Sequence, residues 1–248
     1  MFKVMWFIIN IRNRLIRTLK INYEEWIFIK AILIMIMSFI ISLIIPIAIG
    51  LNRFVIVSIM ITLLVHELGH YFSMRYYKCE NIKIIFFGLV AITQTDSIIE
   101  SRFKRIVISL AGPLPGIILG LILMFTSDNE SRLNSFAKIM VLINAVNLIP
   151  ISMLDGGNIF ENLFVLKHYR ATGIFSILSG LFILTYCVLT KDFSVIVFCV
   201  INLIRGVLLI RDKSLSTSGN QVNPLAWNHK IILLTVWIFA IFISFISI

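Results

Sequence analysis

Two histidines and a glutamate lie within one apolar stretch of the chain, LLVHELGHYF at residues 63–72. His66 and His70 are four residues apart, so a helix would place both imidazoles on one face. Both rings could then reach one zinc ion, with Glu67 beside it, able to take a proton from water. Ionisable groups are costly to hold inside an apolar span, which makes a functional site the first hypothesis.

A catalytic zinc site needs a third protein ligand and an open position. The other two histidines, His168 and His229, each neighbour a basic residue at the end of an apolar stretch, which is typical of solvated surface residues. Asp155, in NLIPISMLDGGNIF, has no basic residue nearby in the sequence, so a cation would compensate its charge. A proline before it and two glycines after it should loosen the helix and let backbones approach closely. The predicted zinc ligands are therefore His66, His70 and Asp155.

These assignments have structural alternatives. The two histidines of the apolar stretch could donate hydrogen bonds across a packed helix bundle without any metal. Asp155 could close a helix beside a glycine turn. A shared metal accounts for all three residues at once, and for the cost of holding them away from water.

The composition places these residues in a membrane protein. Hydrophobic residues make up 59% of the chain and charged residues 14%, well outside the soluble globular range. Charge-free runs recur along the chain, and about 20 apolar residues suffice to cross a bilayer as a helix. The pattern predicts an all-α polytopic membrane protein with six to seven transmembrane helices, the seventh depending on residues 193–210.

The net charge of +10 does not indicate nucleic-acid binding, because Lys and Arg cluster at the ends of the apolar runs. In those positions they set the orientation of an integral, multi-pass protein in the lipid bilayer. The basic residues before the first span predict a cytoplasmic N-terminus, in a membrane that we expect to be that of a bacterial cell. Counting along the spans then places the histidine motif and Asp155 at similar depth, nearer the cytoplasmic side.

The segment NIKIIFFGLVAITQT, residues 81–95, interrupts the helical pattern. It is rich in β-branched and aromatic residues and is broken by Gly88, which predicts a short membrane-associated β-hairpin. Non-helical backbone at membrane depth is tolerated only where protein or a wet cavity satisfies it, so the hairpin should lie near a polar site. Such a strand could pair with an extended substrate.

Three motifs resemble those of the site-2 protease family of intramembrane zinc metalloproteases, peptidase family M50. They are HELGH in one span, SLAGPLPG in the next and NLIPISMLDGG in a later one. The last fits the family pattern Asn-x-x-Pro-x-x-x-Leu-Asp-Gly, from Asn147 to Gly156. The resemblance covers about residues 54–160 and implies a three-helix metalloprotease core. No stretch resembles the PDZ or nucleotide-binding (CBS) accessory domains that some relatives carry.

The resemblance implies a role for each matching residue. The zinc ligands that it implies are His66, His70 and Asp155. Glu67 becomes the general base, and Asn147 a polar contact for substrate or intermediate. The middle motif departs from the family pattern Gly-Pro-x-x-Asn, because Gly116 stands at the asparagine position. The polar contact of that asparagine is therefore in question here, and substrate handling can differ.

Together these observations divide the chain into four parts. We expect a basic amphipathic segment at 1–25, a first transmembrane helix at 26–52, a catalytic core at 53–165 and C-terminal transmembrane helices at 166–248. The predicted function is that of a zinc endopeptidase for transmembrane or membrane-associated peptide and protein substrates, acting in regulated intramembrane proteolysis or in peptide maturation. The sequence indicates neither an oligomeric state nor a gating partner.

The alternative function is that of a non-catalytic zinc-binding membrane scaffold or transporter. A transporter should carry further ionisable residues along a path across the membrane. Several predicted spans offer none. A scaffold derived from such an enzyme would usually have lost Glu67 or a metal ligand, and all of them are present.

Overall fold

The computed structural model describes residues 23–48, 50–164, 169–191, 196–211 and 225–247. Most of the expected amphipathic segment, residues 1–22, lies outside this part of the chain, and so does His168. The elements in chain order are α1 (Tyr23–Ala48), α2 (Arg53–Tyr76), β1 (Lys83–Phe87), β2 (Val90–Gln94), α3 (Arg102–Ala111), α4 (Pro113–Thr126), α5 (Arg132–Asn147), α6 (Asp155–Leu163), α7 (Tyr169–Thr190), α8 (Ile196–Arg211) and α9 (Trp227–Ser247).

The described part of the protein is mostly helical, with several helices suited to a bilayer. Five stretches are long and apolar enough to cross a membrane: Ile27–Ala48, Arg53–Tyr76, Arg102–Thr126, Arg170–Thr190 and Trp227–Ser247. Helices α5 and α8 have 16 residues each, shorter than the roughly 20 that a span needs. The molecule is therefore an integral membrane protein, whereas its six to seven spans stay a prediction.

The apolar pattern predicts a fourth span at about residues 136–160, and these residues do not form one helix. Helix α5 ends at Asn147 and α6 begins at Asp155, with a loop between them that we call the 148–154 loop. Pro150 has no N–H to continue the helical ladder and disfavours helical geometry in the residue before it. A tight turn replaces the ladder, in which Leu154 N donates to Ile151 O at 2.9 Å. The break exposes the first turn of α6, where Asp155 stands.

The glycines after Asp155 serve close packing of that loop. They lie within α6, and a Cβ on Gly156 would overlap the backbone carbonyl of Leu148, while one on Gly157 would overlap that of Ile151. The expected close backbone approach is therefore present, although the glycines do not loosen the helix. Lipid supplies little hydrophobic drive between helices, so such small-residue contacts carry much of the packing.

The predicted hairpin is present as the antiparallel pair β1–β2. Its strands pair from Lys83 with Gln94 to Phe87 with Val90, and Gly88 in the turn has a φ of 61°, a left-handed value that favours glycine. The buried side chain of Phe86 lies edge-to-face against Phe39 of α1, with 5.1 Å between ring centroids. The sheet is thereby held against α1 and α2 beside the histidine motif.

Candidate metal centre

Three potential ligand atoms from two helices converge at one point. Asp155 Oδ2, at the start of α6, lies 3.0 Å from His66 Nε2 and 3.3 Å from His70 Nε2 of α2. The two Nε2 atoms are 3.1 Å apart. The histidines are buried and the aspartate is partly buried. The structure thus brings together the three residues that the sequence singles out, and zinc binding by them stays a prediction.

The spacing of these atoms fits a tetrahedral zinc ion. Ligand atoms about 2.0–2.1 Å from zinc at tetrahedral angles lie about 3.3 Å from one another. The observed separations of 3.0–3.3 Å agree with that value. Two imidazole nitrogens and one carboxylate oxygen are also donors that zinc commonly takes, and three protein ligands leave a fourth position for water or substrate.

The partners of the outer ring nitrogens fix the tautomers of neutral imidazoles. His70 Nδ1 lies 2.8 Å from the carbonyl oxygen of Ile108, which can only accept, so this nitrogen carries the proton. His66 Nδ1 lies 2.8 Å from Asn144 Oδ1, and the Asn144 amide nitrogen donates to Met140 O at 2.8 Å. Both Nε2 atoms then present lone pairs to each other and to a carboxylate. A cation at their meeting point would turn this repulsion into attraction.

Asn144 explains the departure at Gly116. A Cβ at position 116 would overlap the Asn144 side-chain amide, so the fully buried asparagine of α5 occupies the space beside the glycine of α4. Sequence reasoning missed Asn144. The signal was a polar residue inside the apolar run of α5, three positions before the asparagine of the recognised motif.

Asn147 lies in a different setting. It is half-buried, and its amide nitrogen donates to Ile143 O at 3.1 Å within α5. Of Asn144 and Asn147, it is Asn144 that contacts a histidine of the metal motif. A substrate contact by Asn147 stays a prediction.

Glu67 is held by the hairpin. Thr93 Oγ1, on β2, donates to Glu67 Oε2 at 2.6 Å, and the glutamate is 4% exposed. Thr93 was also missed by sequence reasoning, because nothing in its position along the chain indicates this contact. The hydroxyl fixes one carboxylate oxygen of the glutamate next to the two histidines. It also joins the hairpin directly to the metal centre.

Comparisons with known proteins agree with this arrangement. The model of peptidase family M50 matches residues 54–131. A curated zinc metalloprotease, MJ0392 of Methanocaldococcus jannaschii, is 25% identical over 119 residues, or 45% of this chain and 34% of that protein. The solved site-2 protease from Methanocaldococcus jannaschii has the same fold, with a TM-score of 0.52 at 21% identity over 71% of this chain and 89% of that one. The resemblance to peptidase family M50 that the sequence motifs indicate is thus confirmed for residues 54–131, about a third of the chain.

The M50 match covers only part of the candidate metal site. Its residues 54–131 contain His66, Glu67 and His70 and end before Asp155. The aligned region spans about a third of the length of the curated relative, 34%. The position of Asp155 therefore depends on the geometry of α6 and of the loop before it.

His229 lies apart from the metal ligands. Its ring is tilted against that of Phe103, with 4.9 Å between centroids, at the start of α9. Within the described residues, the histidine, cysteine and acidic side chains close enough to share a metal are His66, His70 and Asp155. The sequence-based preference for Asp155 over His229 as third ligand agrees with this geometry.

Proposed function

We propose that this protein is a member of peptidase family M50 and an intramembrane zinc endopeptidase that cleaves transmembrane or membrane-associated peptides and proteins. The observation that supports it best is the convergence of two imidazole nitrogens and a carboxylate oxygen beside a buried glutamate. The relatives, a zinc metalloprotease and a site-2 protease, point to the same activity.

In this proposal His66, His70 and Asp155 hold the metal, oriented by the contacts of the two outer ring nitrogens. Zinc, when bound, acts as a Lewis acid and brings the pKa of water towards about 7. Glu67 accepts the proton of the attacking water and returns it to the leaving amine. Asn147 is proposed to donate to the carbonyl oxygen of the scissile bond as negative charge develops there.

The hairpin is the proposed place where the substrate unwinds. Peptide bonds in a helix are shielded by their own hydrogen bonds, so a transmembrane substrate must become extended before cleavage. Within the described residues β2 pairs with β1 alone, which leaves its other edge without a strand partner. An extended substrate could pair with that edge. Thr93 on β2 would then keep the edge in register with Glu67.

The orientation of the protein is a further part of the proposal. Arg75 and Lys78 follow the histidine motif at the end of α2, where the excess of basic residues marks the cytoplasmic side. His70 lies seven residues before Tyr77, or on the order of 10 Å along a helix. We therefore place the metal centre nearer the cytoplasmic side of a cell membrane.

Glu67→Gln tests the assigned base. The amide is nearly isosteric with the carboxylate but cannot accept a proton, so cleavage of a reconstituted membrane substrate should fall about 10²–10⁴-fold. Zinc content should stay at the wild-type level, because the ligands are untouched. Glu100→Gln, at an exposed position before α3, is the matched control and should cleave normally. Full cleavage by Glu67→Gln would contradict the proposed base.

The same assay separates this proposal from the scaffold or transporter alternative. A wild-type protein that binds zinc stoichiometrically yet leaves every tested membrane peptide intact would favour a non-catalytic role. Comparing membrane peptides between cells carrying wild type and Glu67→Gln would identify the substrate, since uncut precursors should accumulate only with the variant.

A further inference from the structure

An ionic cluster lies on the side of the 148–154 loop that faces helices α7 and α8. Arg205 Nη1 of α8 is 3.3 Å from Glu161 Oε1 of α6 and donates to the hydroxyl of Ser152 in the loop. That hydroxyl is also 3.3 Å from Glu161 Oε1, and Ser179 of α7 accepts a hydrogen bond from Ser152 N at 3.2 Å. Ser152 is almost fully buried.

The cluster has no part in the chemistry proposed above. Charged side chains within a membrane bundle are expensive and usually mark a function. Arg205 and Glu161 are neither metal ligands nor the base, and both lie beyond the M50 match at residues 54–131. Their placement therefore calls for a separate explanation.

The cluster includes one residue before Asp155 in the chain and one after it. Ser152 precedes the aspartate by three residues, and Glu161 follows it by six on the same helix. The residue that caps α6, Leu154, makes no side-chain capping bond, so the start of the helix depends on contacts made by its neighbours. One guanidinium thus joins the loop before the ligand to the helix after it.

Two other contacts hold the chain on either side of Ser152. Trp237 Nε1 of α9 donates to Leu148 O at 2.9 Å, which holds the beginning of the loop. Asn158 of α6 donates to Ser109 Oγ of α3 at 2.7 Å, which holds the helix against the core. Between these anchors, the segment nearest Asp155 is tied by Ser152 to α7 and α8.

We propose that Arg205 is a positioning residue for the metal ligand Asp155. Through Ser152 and Glu161 it sets the angle at which α6 leaves the loop, and so the distance from Asp155 Oδ2 to the two histidines. The proposal rests on the metal centre of the proposed function. It gives the helix pair α7–α8 a defined task, which is to hold the third ligand in place.

Metal affinity of the purified, detergent-solubilised full chain tests this. Arg205→Met should weaken zinc binding about 10–100-fold in competition with a chelator, the range for loss of a residue that orients a ligand. The visible absorption of the cobalt-substituted protein should lose intensity as tetrahedral coordination loosens. Arg211→Met, at an exposed position on the same helix, is the matched control and should bind like wild type.

The double variant Arg205→Met/Glu161→Met separates positioning from folding. The Arg205–Glu161 pair is partly buried. Removing one partner of such a pair leaves an uncompensated charge, whereas replacing both partners of a buried pair with apolar residues is often neutral or stabilising. A positioning role predicts that the double variant is as stable as wild type without metal, yet still binds zinc at least about tenfold more weakly. Because it leaves neither Arg205 nor Glu161 without its partner, this variant decides the question if the single variant does not fold.

Four results would overturn the proposal. Wild-type zinc affinity in the double variant would show that the cluster acts on stability alone. Equal weakening by Arg211→Met would show a general effect of removing basic residues from α8. Absence of zinc binding in the wild type, with the histidines intact, would defeat the proposed function as well. If the wild type binds zinc and cleaves its substrate, and Arg205→Met has the same zinc affinity, this proposal alone would be defeated.

Discussion

Replacing Asn144 with leucine removes the acceptor that holds His66 in its metal-binding tautomer. Leucine has the same branched heavy-atom skeleton as asparagine, although it is larger, so the space beside Gly116 stays filled. In the wild type, His66 Nδ1 lies 2.8 Å from Asn144 Oδ1. In the variant the Nδ1–H would be left unpaired in a buried position. An unsatisfied buried donor costs about 1–3 kcal/mol. The ring can avoid this cost only by rotating or by moving its proton to Nε2, and both changes remove the metal ligand.

The structure therefore sets the size of the effect. A penalty of about 1–3 kcal/mol on the bound state corresponds to a rise of about 5–150-fold in the dissociation constant for zinc. Chelator competition on the purified protein measures it directly, without a substrate. Asn144→Asp, which keeps an acceptor at the same place, should retain wild-type affinity or exceed it.

Asn147 provides the matched control on the same helix. Its amide donates to Ile143 O and not to a histidine, so Asn147→Leu should keep wild-type zinc affinity while it impairs cleavage. Equal affinity in Asn144→Leu and Asn147→Leu would refute the reasoning, because it would mean that the contact with His66 does not orient the ligand.

An exchange between facing helices probes the same contact from the other side. Gly116→Asn alone should disrupt the site, since a Cβ there overlaps the Asn144 amide. Gly116→Asn/Asn144→Gly vacates that space and lets the new amide enter it, so zinc affinity should recover towards wild type. A double variant no better than Gly116→Asn would show that the two positions do not share one space.

Two further predictions concern the neighbours of the motif. Thr93→Val should lower kcat about ten- to hundredfold with KM and zinc content unchanged, because a hydrogen bond to a charged group contributes about 1.5–3 kcal/mol. Thr93→Ser keeps the hydroxyl and should restore kcat. A loss of zinc in Thr93→Val would contradict this prediction. Gly112→Ala should abolish zinc binding, because its Cβ would overlap the imidazole of His70. Gly88 has open space around it but a φ of 61°, so Gly88→Ala should lower thermal stability and leave zinc affinity unchanged.

The parts of the site that sequence reasoning found are those set by local geometry. A spacing of four residues places His66 and His70 on one face of any helix, whatever surrounds it. The hairpin followed from β-branched residues around a glycine, which also act locally. Asp155 was found from the cost of an unpaired carboxylate in an apolar setting, an argument that needs no fold.

The parts that it missed depend on which helices become neighbours. Asn144 and His66 are 78 residues apart, Thr93 and Glu67 are 26 apart, and Arg205 and Glu161 are 44 apart. Nothing in the local sequence marks these pairs, because the contact between the two side chains exists only in the folded protein. The break at the 148–154 loop is intermediate, since Pro150 predicts a disturbance but not the turn that replaces the helix.

This division has a consequence for how the metal centre is built. The motif on α2 supplies two of the proposed ligands and the proposed base, and one helix fixes the spacing of their backbone positions. The third ligand begins a helix of nine residues after a loop, and its position depends on α3, α7, α8 and α9. Variation after α5 should therefore act on the site chiefly through Asp155. Substitutions of the α7 and α8 residues that contact the loop, Ser179 and Arg205, should change metal affinity without changing the geometry of the histidine motif.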